Sequence, residues 1–381
     1  MSHRRILHVV DHALPQRFSG YSIRTRFLTK AQAGLGLEPH VLSTSAGVSS
    51  THEQDGVVQH GLALPRPQLS NLPFAHRRWA RAIAACVREH GIEIVHAHSP
   101  HATGLVASAG ARRAAVPTVY EVRGLWHEAR RVEQDRSNPL EYALWDALEG
   151  RCCRRADAVI AISEGLRERL VKHYGVSGPI AVVPNGVDFA RFEAAAEHPP
   201  RDGPLRLGYI GSLRRLEGLE LAIEAVARMD EPVELWIVGE GEERPRLAEC
   251  AAALGVSDRV HLLGPVPHAE IEAQYARLDV MLYPRKRSPV TEMVTPLKPL
   301  EAMALGKPLL ASDVGGLREL VADKRCLFRA GDVDALVERI RAFASDAGLR
   351  TEVVRAGRER ARERDWSRVV QPCLAVYDAL L

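Results

Sequence analysis

Short β-branched runs alternate with longer amphipathic ones along almost the whole chain, and this alternation limits the fold more than any other feature. Residues 6–10, 39–43, 93–97, 118–122, 158–162 and 180–183 read as strands. Between them, Trp79, Ile83 and Val87, or Leu166, Leu170 and Tyr174, repeat with helical spacing. Parallel strands need long crossovers and helices supply them, so the pattern predicts a parallel α/β sheet. A polar, proline-bearing stretch over 197–204 interrupts the series, which then resumes with strands at 206–210, 234–238, 260–263, 280–283 and 308–311.

Each half has the size of a Rossmann-like domain, and 381 residues with 46% hydrophobic side chains is too long a chain for one compact core. The expected division is a first domain over 1–188, a linker over 189–204, a second domain over 205–365, and a last helix over 366–381 that packs back across the linker onto the first domain. Open α/β sheets bind ligands beyond the carboxyl ends of their strands, so two such edges facing each other would form a cleft.

Charge excludes a dedicated nucleic-acid binder, because 51 basic against 48 acidic side chains leave a formal net charge of only +3. His76, Arg77, Arg78 and Arg81 beside Phe74 and Trp79 would let an amphipathic helix rest on an anionic membrane, with a solvated helix face as the plainer reading. No segment has the apolar length to span a bilayer, so the expected location is the cytoplasm, with any membrane contact peripheral at the inner face. The six cysteines (Cys86, Cys152, Cys153, Cys250, Cys326, Cys373) show no C-x-x-C and no metal spacing, and read as reduced thiols.

The segment Thr295-Pro296-Leu297-Lys298-Pro299-Leu300-Glu301 carries the most chemistry. Thr295 suits an N-cap and Pro296 a first helical position, while Gly306 and Pro308 stop the helix. Its N-terminus and the Lys298 charge would suit a diphosphate, and Glu301 on the same face would accept hydrogen bonds from a ribose diol. A surface Lys–Glu pair is the structural alternative.

Other segments supply the context. Val183-Pro184-Asn185-Gly186-Val187-Asp188, Trp236-Ile237-Val238-Gly239-Glu240-Gly241, Asp258-Arg259-Val260-His261-Leu262-Leu263-Gly264, and 301–308 followed by 311–319 together resemble glycosyltransferase family 4, retaining enzymes of the GT-B fold. Residues 7–15, Ser19-Gly20-Tyr21, Arg24-Thr25-Arg26, Glu217-Gly218-Leu219 and 294–301 are similar to the bacterial subgroup found with exosortase and exopolysaccharide genes. The resemblance implies two Rossmann-like parallel-sheet domains facing a cleft. It also implies a nucleotide-sugar donor, UDP- or GDP-linked, no cofactor, and a glycan or lipid-linked acceptor.

On that resemblance the donor-binding residues are Gly20, Gly211, Ser212, Gly239, Gly241, Val266, Thr295, Pro296, Leu297, Lys298 and Glu301. The family's two glutamates are separated by seven residues; counting back from Glu301 gives Met293, so the first role falls to Glu292 one place away. Where relatives carry a phosphate-binding arginine and lysine, this chain has Ser212 and Glu217, and Arg214, Arg215 and Lys298 are the replacements expected to stabilise the departing diphosphate. Acceptor contacts are expected from Arg24, His98, Tyr120, Arg123 and Trp126. Arginine cannot act as a base near neutral pH, so Arg123 would bind an anion or an acceptor oxygen.

Two metal readings are weighed and set aside. His96 and His98 share a strand face and His101 follows, but no carboxylate stands at a useful spacing. Asp332-Val333-Asp334 formally matches D-x-D yet precedes a helical run, as helix-start acids do. The resemblance thus implies a metal-independent retaining transfer in which the donor's own diphosphate accepts the acceptor proton. A GT-B sugar-nucleotide epimerase and a catalytically silent nucleotide-sugar-binding protein are the alternatives.

Overall fold

The computed structural model describes residues 4–14, 17, 19–44, 49–65, 67, 72–133, 138–194, 203–267 and 270–381, and the chain divides into two compact units. Unit 1 comprises Met1–Asn185 with Trp366–Leu381, and unit 2 comprises Gly186–Asp365.

Unit 1 is built on β1 (Arg5–Val9), β2 (Glu38–Thr44), β3 (Ser50–Gln54), β4 (Val57–Leu62), β5 (Ile94–His98), β6 (Thr118–Val122), β7 (Ala158–Ala161) and β8 (Ile180–Val182), in the order β3-β4-β2-β1-β5-β6-β7-β8. β5, β6 and β7 are buried along their whole length, as strands covered by helices on both faces must be. The β3–β4 hairpin is absent from the sequence expectation. β3 is exposed throughout and shows no hydrophobic alternation, and the signal for it lay in the turn. Asp55 and Gly56 both adopt positive φ (55° and 74°), the Asp-Gly turn whose twist matches an antiparallel pair.

The last segment lies in unit 1. Trp366 stacks on Phe27 with centroids 6.2 Å apart, and the Tyr377 hydroxyl accepts from Gln32 Nε2 at 2.9 Å.

Unit 2 contains β9 (Leu205–Ile210), β10 (Val233–Val238), β11 (Val260–Gly264), β12 (Val280–Tyr283), β13 (Leu309–Ser312) and β14 (Leu327–Phe328), all parallel and ordered β11-β10-β9-β12-β13-β14. Counted within the unit this is the order 3-2-1-4-5-6, with the direction of winding reversing between β9 and β12. The region expected as a linker is partly core. Phe189–Ala194 is a helix whose Phe189 and Phe192 join the hydrophobic core of unit 2, and Val187 N donates to Arg364 O at 2.9 Å. Unit 2 therefore starts at Gly186, because these aromatic side chains gain more by burial than a solvated linker would allow. Residues 195–202 of the expected linker lie outside the described residues.

Candidate functional site

In unit 2 the loops beyond β9, β10 and β11 are laced by backbone hydrogen bonds: Gly211 N to Val238 O (3.0 Å), Leu213 N to Glu240 O (2.9 Å) and Gly239 N to Gly264 O (2.8 Å). Gly239 has φ 142°, and a Cβ there would collide with the Gly211 carbonyl oxygen, so only glycine allows these loops to meet. Gly241 approaches the Leu213 backbone in the same way. Val266, just past β11, packs half-buried against the core. The expected donor residues of these loops thus share one carboxyl edge.

At the switch point the charges differ from expectation. Glu217, at the place where the resemblance implies a lysine, is buried and bound in a fork by Arg285 beyond β12, with Arg285 Nε donating to Oε2 at 3.0 Å and Nη2 to Oε1 at 2.8 Å. Burial opposes the Arg285 charge, and the Glu217 carboxylate outweighs it, raising the arginine above its ordinary value. Of the expected replacements, Arg214 is exposed and Arg215 half-buried, on or next to the short 3-10 turn Arg215–Glu217, and Ser212 nearby is exposed. Arg285 was missed by sequence reasoning, because its partner lies 68 residues away and only the adjacency of β9 and β12 joins them.

Thr295 is not an N-cap. The helix runs over Lys298–Ala304 with Leu297 at the cap position, and Thr295, buried at 1% exposure, and Pro296 both precede it. A proline at 299 fits the first turn and sets the start later than Pro296 suggested. Lys298 and Glu301 do share a face: Lys298 Nζ donates to Glu301 Oε2 at 3.0 Å, Tyr275 OH donates to the same oxygen at 3.4 Å, and Tyr283 OH donates to Lys298 O at 3.1 Å. Two tyrosines buried in the core thus orient the pair.

Glu292 belongs to a separate helix, Pro289–Met293, capped by Ser288. Its Oε2 accepts from Gly315 N at 2.7 Å and its Oε1 pairs with Arg287, so this carboxylate ties the loops beyond β12 and β13 together. A Cβ at Gly315 would collide with the Glu292 carbonyl oxygen, which makes the tie close enough to demand glycine. Asp332 caps the helix Val333–Ser345 by accepting from Ala335 N at 3.0 Å.

In unit 1 the expected acceptor residues separate into two groups. Arg123 and Trp126 gather beyond β1 and β6 around Tyr21, which was not among the expected acceptor residues: the Arg123 guanidinium lies 4.5 Å from the Tyr21 ring centroid, and Trp126 meets that ring edge-on at 6.4 Å. Arg123 donates to Glu121 Oε1 (2.6 Å), Tyr21 O (2.9 Å) and Thr25 Oγ1 (2.7 Å), while its buried Nη2 has no hydrogen-bond partner. A buried donor of this kind costs free energy unless a ligand oxygen meets it. Beside it, His12 bridges Asp11 (2.8 Å) and Ser19 (2.9 Å), and Gly20 opens the following helix exposed. His12 and Asp11 were not among the expected residues; a histidine next to an aspartate just past the first strand was the available signal.

His98, Tyr120 and Arg24 take structural positions instead of acceptor-facing ones. His98 is fully buried with both nitrogens engaged, one by His8 Nδ1 at 3.0 Å and one by Glu121 Oε1 at 3.2 Å. Tyr120 OH donates to Glu149 at 2.6 Å within the core. Arg24 donates to Glu121 Oε1 (3.0 Å), Val183 O (2.8 Å) and Pro184 O (2.8 Å), holding the segment that leaves unit 1. The carboxylate that sequence spacing did not supply for the histidines is Glu121, on the neighbouring strand. Burial alone would raise the Glu121 carboxyl, but Arg24 and Arg123 outweigh it and hold it well below the usual range. Burial likewise keeps His8, His96 and His98 neutral.

Trp79 is buried at 1% exposure and donates from Nε1 to Pro65 O at 2.9 Å, so it serves the core and not a membrane surface. Arg77, Arg78 and Arg81 are exposed on that helix, and the Phe74 side chain lies outside the described residues. Among the described residues no helix is long and apolar enough to cross a membrane.

Comparison with known proteins identifies the chain. Residues 18–191 match Glycosyltransferase Family 4 and residues 190–360 match Glycosyl transferases group 1. The glycogen synthase of Mycobacterium tuberculosis is 31% identical over 240 residues, a match spanning 61% of this chain and only 56% of that protein. The D-inositol 3-phosphate glycosyltransferase of Geodermatophilus obscurus is 30% identical over 369 residues, 90% of this chain and 78% of that protein. Among solved structures, a sucrose-phosphate synthase from Thermosynechococcus elongatus superposes with TM-score 0.82 at 21% identity over 99% of both chains. Anabaena HepE in complex with UDP and glucose superposes with TM-score 0.75 at 19% identity, over 99% of this chain and 100% of that one. The fold is therefore GT-B, and the chain belongs to the group 1, family 4 glycosyltransferases.

Proposed function

We propose that the protein moves a sugar from a UDP- or GDP-linked donor to a glycan or lipid-linked acceptor, with retention of configuration and without a catalytic metal, in bacterial exopolysaccharide or cell-surface glycan synthesis. The observation that carries this reading is the Lys298–Glu301 pair, held by Tyr275 and Tyr283 in the unit whose strands wind 3-2-1-4-5-6. Nucleotides bind beyond the carboxyl ends of such sheets. In the proposed step the bond from C1 to the diphosphate oxygen breaks, and the acceptor oxygen bonds C1 on the same face. The acceptor proton passes to the departing diphosphate.

Lys298, with Arg214 and Arg215, supplies positive charge to that leaving group. Glu301 accepts from the ribose, and Gly211, Gly239 and Gly241 leave room for the phosphates. Arg123, through its unpartnered Nη2, and Trp126 receive the acceptor. The exposed Arg77, Arg78 and Arg81 suit peripheral contact with an anionic bilayer carrying a lipid-linked acceptor.

A second reading, a nucleotide-sugar binder without turnover, draws on one observation: Glu217 occupies a family lysine position and engages Arg285 in both oxygens. One experiment separates the two. The protein is incubated with UDP-, GDP- and ADP-sugars in EDTA, with nucleoside diphosphate release and product anomer followed by NMR. Transfer with a retained anomer is expected; an inverted product or loss of turnover on chelation would overturn the retaining, metal-independent step, and binding without any release would favour the silent binder.

A further inference from the structure

Away from the sugar-transfer residues, the structure brings together a set of ligands that no feature of the proposed reaction uses. Cys86 and His90 lie four residues apart near the end of the helix Leu72–His90, so they share one of its faces. That face meets His60 on β4, and the ligating atoms of His60, Cys86 and His90 all lie within 4.8 Å of one another. His40 on β2 stands beside the group: its Nδ1 is 2.9 Å from His60 Nε2, and its ring centroid lies 5.2 Å from those of both His60 and His90. His40, His60 and Cys86 are buried at 7%, 6% and 8% exposure, and His90 forms the open side.

We infer that His60, Cys86 and His90 form a binding site for a zinc-class divalent cation that ties β4 of the unit 1 sheet to its covering helix, with the His40 imidazole beside it. One thiolate and two imidazoles supply three corners of a tetrahedral site with bonds of about 2.0–2.3 Å, leaving the fourth corner to a water. Burial, and after it the neighbouring imidazoles, lower His40 and His60 to about 4, so both rings are neutral at neutral pH, and an entering cation displaces one of the hydrogen bonds that join His60 to His40 Nδ1 (2.9 Å) and Thr51 Oγ1 (3.3 Å). Burial, and then Glu89, push the Cys86 thiol up to about 12, so it binds as thiolate only by releasing its proton to solvent as the cation enters.

The other histidine group, His8, His96 and His98, lacks this character. It contains no thiol, and the Arg24 and Arg123 guanidiniums stand beside it.

The test uses the full chain, dialysed against chelator and titrated with Co²⁺ alone. One Co²⁺ per chain is expected, giving a thiolate-to-cobalt charge-transfer band in the near ultraviolet with the intense visible bands of tetrahedral cobalt, both displaced by Zn²⁺. Cys86→Ser should abolish the charge-transfer band, and His90→Ala should weaken Co²⁺ binding at least tenfold, each with an unchanged far-ultraviolet circular dichroism spectrum. The inference is overturned if the wild type shows no charge-transfer band, if a nitrogen-only cobalt spectrum appears instead, or if the band survives in folded Cys86→Ser protein.

Discussion

Lys298→Ala should lower turnover about a hundredfold or more, which corresponds to roughly 2.7 kcal/mol or above of lost leaving-group stabilisation. The physical reason is the shortage of cations at the two places where the family resemblance implies an arginine and a lysine. Ser212 brings no charge, and Glu217 is negative and absorbs Arg285. Lys298 is half-buried and held in place by Glu301, so its charge is already oriented before a donor arrives. Lys298→Arg should recover only part of the rate, since a planar fork does not reproduce a point charge. Steady-state kinetics on the two variants, beside Arg214→Ala and Arg215→Ala, check this. Near-normal turnover in Lys298→Ala would show that the charge comes from another group.

The largest loss of stability is expected from Glu121→Leu. Glu121 is fully buried, yet it neutralises Arg24 and Arg123 and accepts from His98, so its removal leaves two guanidiniums facing each other in the interior of unit 1. Breaking a buried charge pair by deleting one partner costs about 3–5 kcal/mol. Urea unfolding monitored on unit 1 should show that loss, and a change below about 1 kcal/mol would mean that the network is not held by this carboxylate. Glu121→Gln should be milder, because an amide still accepts hydrogen bonds, although the charge is gone.

How much of this was readable in the amino-acid order depends on how local the cause is. Strands such as 6–10 and 118–122 announce themselves, because a run buried on both sides must be apolar throughout. The start of unit 2 at Gly186 did not, since Phe189 and Phe192 look like exposed linker residues until the core that receives them is known. Thr295 had the chemistry of a cap and lost the position to a later helix start set by Pro299. Glu301 and Lys298 were legible because their partnership is three residues long. The Glu217–Arg285 fork and the Glu121 network were not, because each depends on strand adjacency that no spacing encodes. The Cys86–His90 interval is visible in the sequence without a C-x-x-C; its meaning emerges only when His60 arrives from β4.

The central claim is that the Lys298–Glu301 edge of unit 2 binds the nucleotide of a sugar donor. Calorimetric titration of UDP and GDP into the wild type and Glu301→Gln tests it most directly. The substitution keeps side-chain size and removes an ionised acceptor, so each charge-assisted bond lost should cost about 1.5–3 kcal/mol of binding. Saturable binding of at least one nucleotide by the wild type is expected, weakened about tenfold or more in a Glu301→Gln protein of unchanged melting temperature. Equal affinity in the two proteins would contradict it.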